Sequence, residues 1–215
     1  FIWSPEEEDM SPGAATRWWL HQSIKSLTES LEKLGITLVL RTGESIKNLE
    51  KLAKDTGAKG VYWNRRYEPM IRRRDDEIAC QLRQAGLTVK TFKASLLAEP
   101  EEIENKSGLP FKVFTPFWKH CLKKLNASTP LPAPQKVEPP KVSLRTTELS
   151  ALNLEPKQDW GHSMNEVWTP GERGAASALE LFINESFNDY AKIRNFPNTK
   201  GTSRLSPHLR FGEIS

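Results

Sequence analysis

Apolar side chains recur at Leu20, Ile24, Leu27, Leu31 and Leu34, four, three, four and three residues apart. That spacing lays them along one stripe of a helix over residues 13–34, and Gly35 predicts its end. Residues 36–40 (ITLVL) follow, a short apolar run rich in β-branched side chains and bounded by Gly43, which predicts a strand buried on both faces. The alternation continues with a helix over 45–56 closed by Gly57, a strand at 60–64, a helix over 71–85 closed by Gly86, and a strand at 87–92. With residues 1–3 as an opening strand, the order is βαβαβαβ. Strands separated by helices need crossover connections, so the expected fold class is α/β, with an open, parallel, Rossmann-like, doubly wound sheet.

Beyond Phe92 the periodicity weakens. Residues 115–125 (TPFWKHCLKKL) read as a helix with Pro116 in its first turn. Residues 126–142 hold five of the fifteen prolines, the composition of an extended, semi-rigid linker. Ala175, Leu179, Phe182, Ser186 and Tyr190 then fall at helical spacing over 171–190, and no strand signal follows. The expected organisation is an α/β domain over 1–125, an interdomain linker over 126–155 and the start of a helical domain over 156–215.

Composition narrows the functional classes. No stretch approaches the roughly 18 consecutive apolar residues that a membrane helix needs. Lysine and arginine exceed aspartate and glutamate by four, and the whole excess lies in residues 1–125, which permits a polyanionic partner without requiring one. Cys80 and Cys121 are too few for a disulfide scaffold, which predicts a reducing, cytoplasmic setting. His21, His120, His162 and His208 are scattered, so no metal site is expected, and no Gly-rich dinucleotide fingerprint or phosphate-binding loop occurs.

Two segments can carry chemistry. Residues 201–215 (GTSRLSPHLRFGEIS) place the hydroxyls of Thr202, Ser203 and Ser206 around a helix start, a natural anion site to which Arg204 adds a charged donor. The same residues also read as simple capping, with Ser206 as N-cap and Pro207 in the first turn. Residues 64–74 (NRRYEPMIRRR) hold five arginines just after a strand end, where open α/β sheets place ligands. Arg72, Arg73 and Arg74 oppose the dipole of the helix they start and need either an anion or Asp75, Asp76 and Glu77 as partners. Trp18 and Trp19 read as core and domain packing.

Five strings together resemble the photolyase/cryptochrome family, within it the bacterial class I cyclobutane-pyrimidine-dimer photolyases. They are FIWSPEEE (1–8), PGAATRWWLHQS (12–23), VYWNRRYEP (61–69), PFKVFTPFWK (110–119) and RNFPNTKGTSRLSPHLRFGEIS (194–215). The resemblance implies an α/β domain linked to a helical domain that binds FAD non-covalently. It also implies a first strand and helix ahead of residue 1 and a flavin domain continuing past residue 215, so that this piece alone would be inactive and hold no catalytic residue. Matching the motifs puts Thr202, Ser203, Arg204, Leu205 and Ser206 around the FAD diphosphate, with Tyr190 as a further flavin contact and Arg194 on the DNA backbone. The implied activity of the full-length protein is that of a carbon–carbon lyase: reduced FAD splits a flipped-out pyrimidine dimer in UV-damaged DNA under light. The implied protein is a bacterial monomer, associated with the nucleoid during repair.

A second antenna chromophore would sit near residues 64–69. The family's folate users carry polar or acidic residues where this chain has Met70 and Ile71, leaving deazaflavin, flavin or folate open. A cryptochrome-type photoreceptor would share the fold and the flavin, and a plain nucleotide-binding α/β module would explain the strands and helices without DNA.

Overall fold

The β-branched runs do form parallel strands, but as two couples. In the computed structural model, which describes every residue except Asp9, 125–128, Pro130, Lys136, 139–141 and Asp159, β1 (Ile2–Trp3) runs parallel to β2 (Arg41–Thr42). Strand β3 (Gly60–Asn64) pairs in parallel with β4 (Thr88–Phe92), from Gly60 opposite Thr88 to Asn64 opposite Phe92. A groove of about 350 Å³ separates the couples, lined by Phe1 and Ile2 on one side and by Val61, Tyr62 and Trp63 on the other.

The strand expected at 36–40 is corrected to the two residues after it. Ladder bonds form only where β1 runs alongside, and the first ones join the Phe1 amino group to the Val39 carbonyl at 2.7 Å and Arg41 N–H to the Phe1 carbonyl at 2.9 Å. Residues 36–38 have no strand beside them. Leu40 instead exchanges bonds with a returning segment: its N–H donates to Thr146 Oγ1 at 2.9 Å, and its carbonyl accepts from Thr147 N–H at 2.9 Å.

Helix α1 (Ala14–Lys33) buries Trp18, Trp19, His21 and Ile24, while Leu27 of the expected stripe stays 39% exposed. The buried face turns toward the aromatic pair because later helices dock there. Helix α2 (Ser45–Thr56) ends at the left-handed Gly57, as glycine allows. Helix α3 (Pro69–Gln84) starts earlier than the apolar periodicity indicates, since Pro69 suits a first helical position. Two cores result. One joins Ile24, Leu40, Leu152 and Leu154, so the described residues at the end of the stretch read as linker lie against the α/β domain. The other joins Ile78, Ala79, Leu82 and Val89 between α3 and the β3–β4 couple.

Among the described residues five further α-helices follow: α4 (Phe114–Lys124), α5 (Gly161–Val167), α6 (Glu172–Glu185), α7 (Tyr190–Ile193) and α8 (Ser206–Phe211). The single helix expected over 171–190 is thus divided. Ser186 is buried and its hydroxyl donates to the Lys200 carbonyl at 2.8 Å, drawing the chain into a turn before α7. Gly171 opens α6 with φ +104° beside α1, where a Cβ would lie 2.1 Å from Ser26 Oγ. Among the described residues no helix is long and apolar enough to cross a membrane.

Leu82 is fully buried in the second core. Leu82→Ala is expected to lower unfolding stability by about 2–5 kcal/mol, against under about 0.5 kcal/mol for Leu131→Ala on the surface, measured by urea denaturation.

Candidate functional site

Past the end of β3 the chain stays extended, so successive side chains point to opposite sides. Arg65 and Tyr67 go one way. Glu99 waits there, nearly buried; it accepts from Tyr67 Oη at 2.9 Å and forms an ion pair with Arg65 Nη1 at 3.0 Å. Arg65 Nε also donates to Thr91 Oγ1 at 3.2 Å. Partial burial, then the bond to the Glu99 carboxylate, push the Tyr67 phenol from about 10 up to about 12.

Arg66 and Glu68 go the other way. Arg66 reaches Glu8 at 2.8 Å and Glu68 at 3.0 Å, and Glu68 meets Arg210 of α8 at 3.3 Å. Partial burial alone would raise the Glu68 carboxyl, but its hydrogen bond to Arg66 and the charges of Arg66 and Arg210 outweigh that and hold it below the usual carboxylate range. This row crosses a cleft of about 740 Å³ between residues 64–68, Ala94 and Ser95 on one wall and residues 209–212, 214 and 215 on the other. Met70 is exposed and Ile71 buried in the core, and neither lines the cleft.

The arginines heading α3 find protein partners: Arg72 with Glu101 at 3.3 Å, Arg73 with Glu77 at 3.1 Å and Arg74 with Asp75 at 2.7 Å. Asp75 and Glu77 are two of the three acidic residues expected there, and Glu101 supplies the remaining partner from another loop.

The second site is the corner at residues 202–206. Gly201 presses against α7, where a Cβ would lie 2.6 Å from Ile193 Cγ1, and this close approach sets the corner beside Tyr190 and Arg194. Thr202, Arg204 and Ser206 are exposed. Leu205 N–H donates to Ser203 Oγ at 3.4 Å, while the N–H groups of Thr202, Ser203 and Arg204 have no partner among the described residues. Ser206 is the first helical residue and makes no side-chain capping bond, which corrects the capping role expected of it. Arg204 adopts φ +54°, and its guanidinium stacks 4.1 Å over the Trp168 ring. Arg194 lies 5.3 Å over the Tyr190 ring. The neighbouring Asp189 pairs with Lys192 at 3.5 Å.

Sequence reasoning missed Glu99, Trp168 and Arg210. Each meets its partner from 32 or more positions away, outside any local spacing rule. Among the described residues no group of three potential metal ligands occurs.

A parallel α/β domain with a charged cleft at its strand ends, carrying a helical segment with an open hydroxyl corner, defines a nucleotide- or chromophore-binding class. The chain belongs to the DNA photolyase family, whose family model matches residues 1–135. Deoxyribodipyrimidine photo-lyase of Agrobacterium fabrum is 43% identical over 204 residues, covering 94% of this chain and 43% of that protein. Cryptochrome-1 of Arabidopsis thaliana is 35% identical over 218 residues, covering all of this chain and 32% of that protein. The crystal structure of a class III photolyase from Agrobacterium tumefaciens superposes with a TM-score of 0.93 at 41% identity, over all of this chain and 44% of that one. The five sequence strings resemble class I members, whereas this similar structure carries the class III designation. The chain spans less than half the length of these relatives.

The raised Tyr67 pKa carries a pH signature. Its folded value lies above the unfolded one, so the Tyr67–Glu99 contribution is complete below pH 10 and is lost as pH rises toward about 12. Spectroscopic titration of the folded chain is expected to show one late tyrosine, returned toward pH 10 by Glu99→Gln.

Proposed function

We propose that this chain is part of a light-dependent flavoprotein that repairs UV-damaged DNA, with residues 202–206 holding the diphosphate of FAD. One observation carries the reading: adjacent backbone N–H groups without protein partners lie beside exposed hydroxyls at a helix start, in the segment whose motif matches the family's flavin corner. The exposed face suits a group held between this corner and further helices of the full-length protein. When bound and reduced, FAD supplies a light-excited electron donor for opening the cyclobutane ring of a pyrimidine dimer.

The chain's own residues bind and orient. The hydroxyls of Thr202, Ser203 and Ser206 and the N–H groups of Thr202, Ser203 and Arg204 would hold the diphosphate through directed hydrogen bonds, with Leu205 and Tyr190 as further flavin contacts. Arg194, one short helix away, presents a planar cation suited to DNA phosphate, with Tyr190 as the surface it rests on. The cleft between residues 64–68 and α8 is the place for a second chromophore, a deazaflavin, flavin or folate, since its volume and mixed lining suit a planar, partly charged ring system.

A second reading, a blue-light photoreceptor, is favoured by the match to plant cryptochrome-1 over the whole chain. The two part on one assay. The full-length protein under blue light should restore an oligonucleotide containing a cyclobutane dimer; a flavin-loaded protein that leaves the dimer intact is the photoreceptor. Thr202→Ala with Ser206→Ala is expected to weaken FAD binding about tenfold or more, read by fluorescence titration. Arg194→Ala is expected to weaken damaged and undamaged DNA alike and to reduce the salt slope by about one.

A further inference from the structure

The corner at 202–206 is held from outside the helical segment, and the contacts converge on one indole. Trp19 of α1, 3% exposed, donates Nε1–H to Glu213 Oε1 at 3.0 Å. The other carboxylate oxygen, Oε2, lies 2.5 Å from Nδ1 of His208. Glu213 and His208 are both buried. The Trp19 ring also meets Trp168 edge-on at 5.4 Å and His208 at 5.2 Å. It runs nearly parallel to Phe211 at 6.0 Å. Trp168 in turn carries Arg204.

The chain entering α8 and the chain leaving it are therefore tied to the same side chain. Arg204 holds a left-handed backbone, which a residue with a side chain keeps only where its surroundings fix it, and the indole of Trp168 supplies that surrounding contact. Glu213 is a carboxylate out of water, which needs a donor on each oxygen, and the two donors come from α1 and from α8 itself. Take away the α1 donor and one oxygen is left unmatched. Relieving it would require α8 to turn toward water, and α8 begins at Ser206, the last residue of the corner.

We infer that Trp19 is the positioning residue for the corner at 202–206, acting through Glu213 and Trp168, and that Arg204 is a clamp on Trp168 and not a ligand of the bound anion. The functional consequence rests on the flavin reading given above; the positioning itself does not. Helix α1 belongs to the α/β domain, so the two domains are joined at the flavin corner by a directed hydrogen bond as well as by apolar packing. Removing the bond alone is expected to loosen the corner without unfolding either domain.

The test compares the full-length protein with its Trp19→Phe, Glu213→Leu, Glu213→Gln and Arg204→Ala variants by amide hydrogen exchange, with and without FAD, alongside the urea midpoint of each. Trp19→Phe keeps a ring and removes the donor. It and Glu213→Leu are expected to speed exchange at residues 202–212 roughly tenfold or more, while exchange in α2 and α3 stays at the parental rate. Glu213→Gln keeps an acceptor for the indole and should return close to parent. Arg204→Ala, an exposed substitution that leaves the folded core untouched, should loosen residues 202–206, and combined with Trp168→Ala should add less than the product of the two single effects. Parental exchange at 202–212 in Trp19→Phe, or an equal rise across α2, α3 and α8, overturns the positioning role; additive effects of Arg204→Ala and Trp168→Ala overturn the clamp. If the corner loosens as expected but FAD protects none of it even in the parent, the flavin reading fails and the positioning role stands. If FAD protects the parent and Arg204→Lys binds it as tightly as parent while the Trp168→Ala corner is unchanged, Arg204 is an anion ligand after all.

Discussion

A carboxylate withdrawn from water must be matched by donors, and two such groups organise this protein. Glu99 gathers Arg65 and Tyr67 at the end of β3, and Glu213 gathers Trp19 and His208 where α8 meets α1. Each is nearly buried, each uses both oxygens, and each takes a donor from 32 or more positions away in the sequence. Hydrophobic burial brings the elements together without direction; these carboxylates then select one arrangement.

The second consequence is a division of labour among the cations. The arginine cluster of residues 64–74 is not free. Arg65, Arg66, Arg72, Arg73 and Arg74 are all engaged by carboxylates. The alternation of an extended chain sends Arg65 to structure and Arg66 to the cleft wall, one residue apart. In the helical segment Arg204 lies on an indole and Arg194 on a phenol ring, so neither is satisfied by a counter-charge. At Arg194 the stacked guanidinium keeps its donors free at its edge, which separates a cation that can still meet phosphate from one already neutralised.

The local pattern is legible where one element decides its own fate. The β3 strand matches its expected limits, and α2 and the division between helices and strands were readable from periodicity and glycine stops. The strand at 36–40 was not, because a ladder needs a neighbour, and β1 stands beside only the residues after Leu40. The helix over 171–190 divides because Ser186 answers to Lys200, a contact no periodicity encodes. The family motifs found the corner at 202–206. They could not show that Arg204 stacks on Trp168, which lies 36 positions earlier.

Periodicity and composition by themselves determined the parallel α/β class and the start of a helical segment, and the resemblance of five short motifs pointed to the family, because each is carried by side chains a few residues apart. Only the tertiary structure decided how the strands couple, which arginines are neutralised and what holds the hydroxyl corner in place. Those outcomes depend on distant groups competing for the same few donors and acceptors, and that competition is settled only when the chain has brought them within hydrogen-bonding distance.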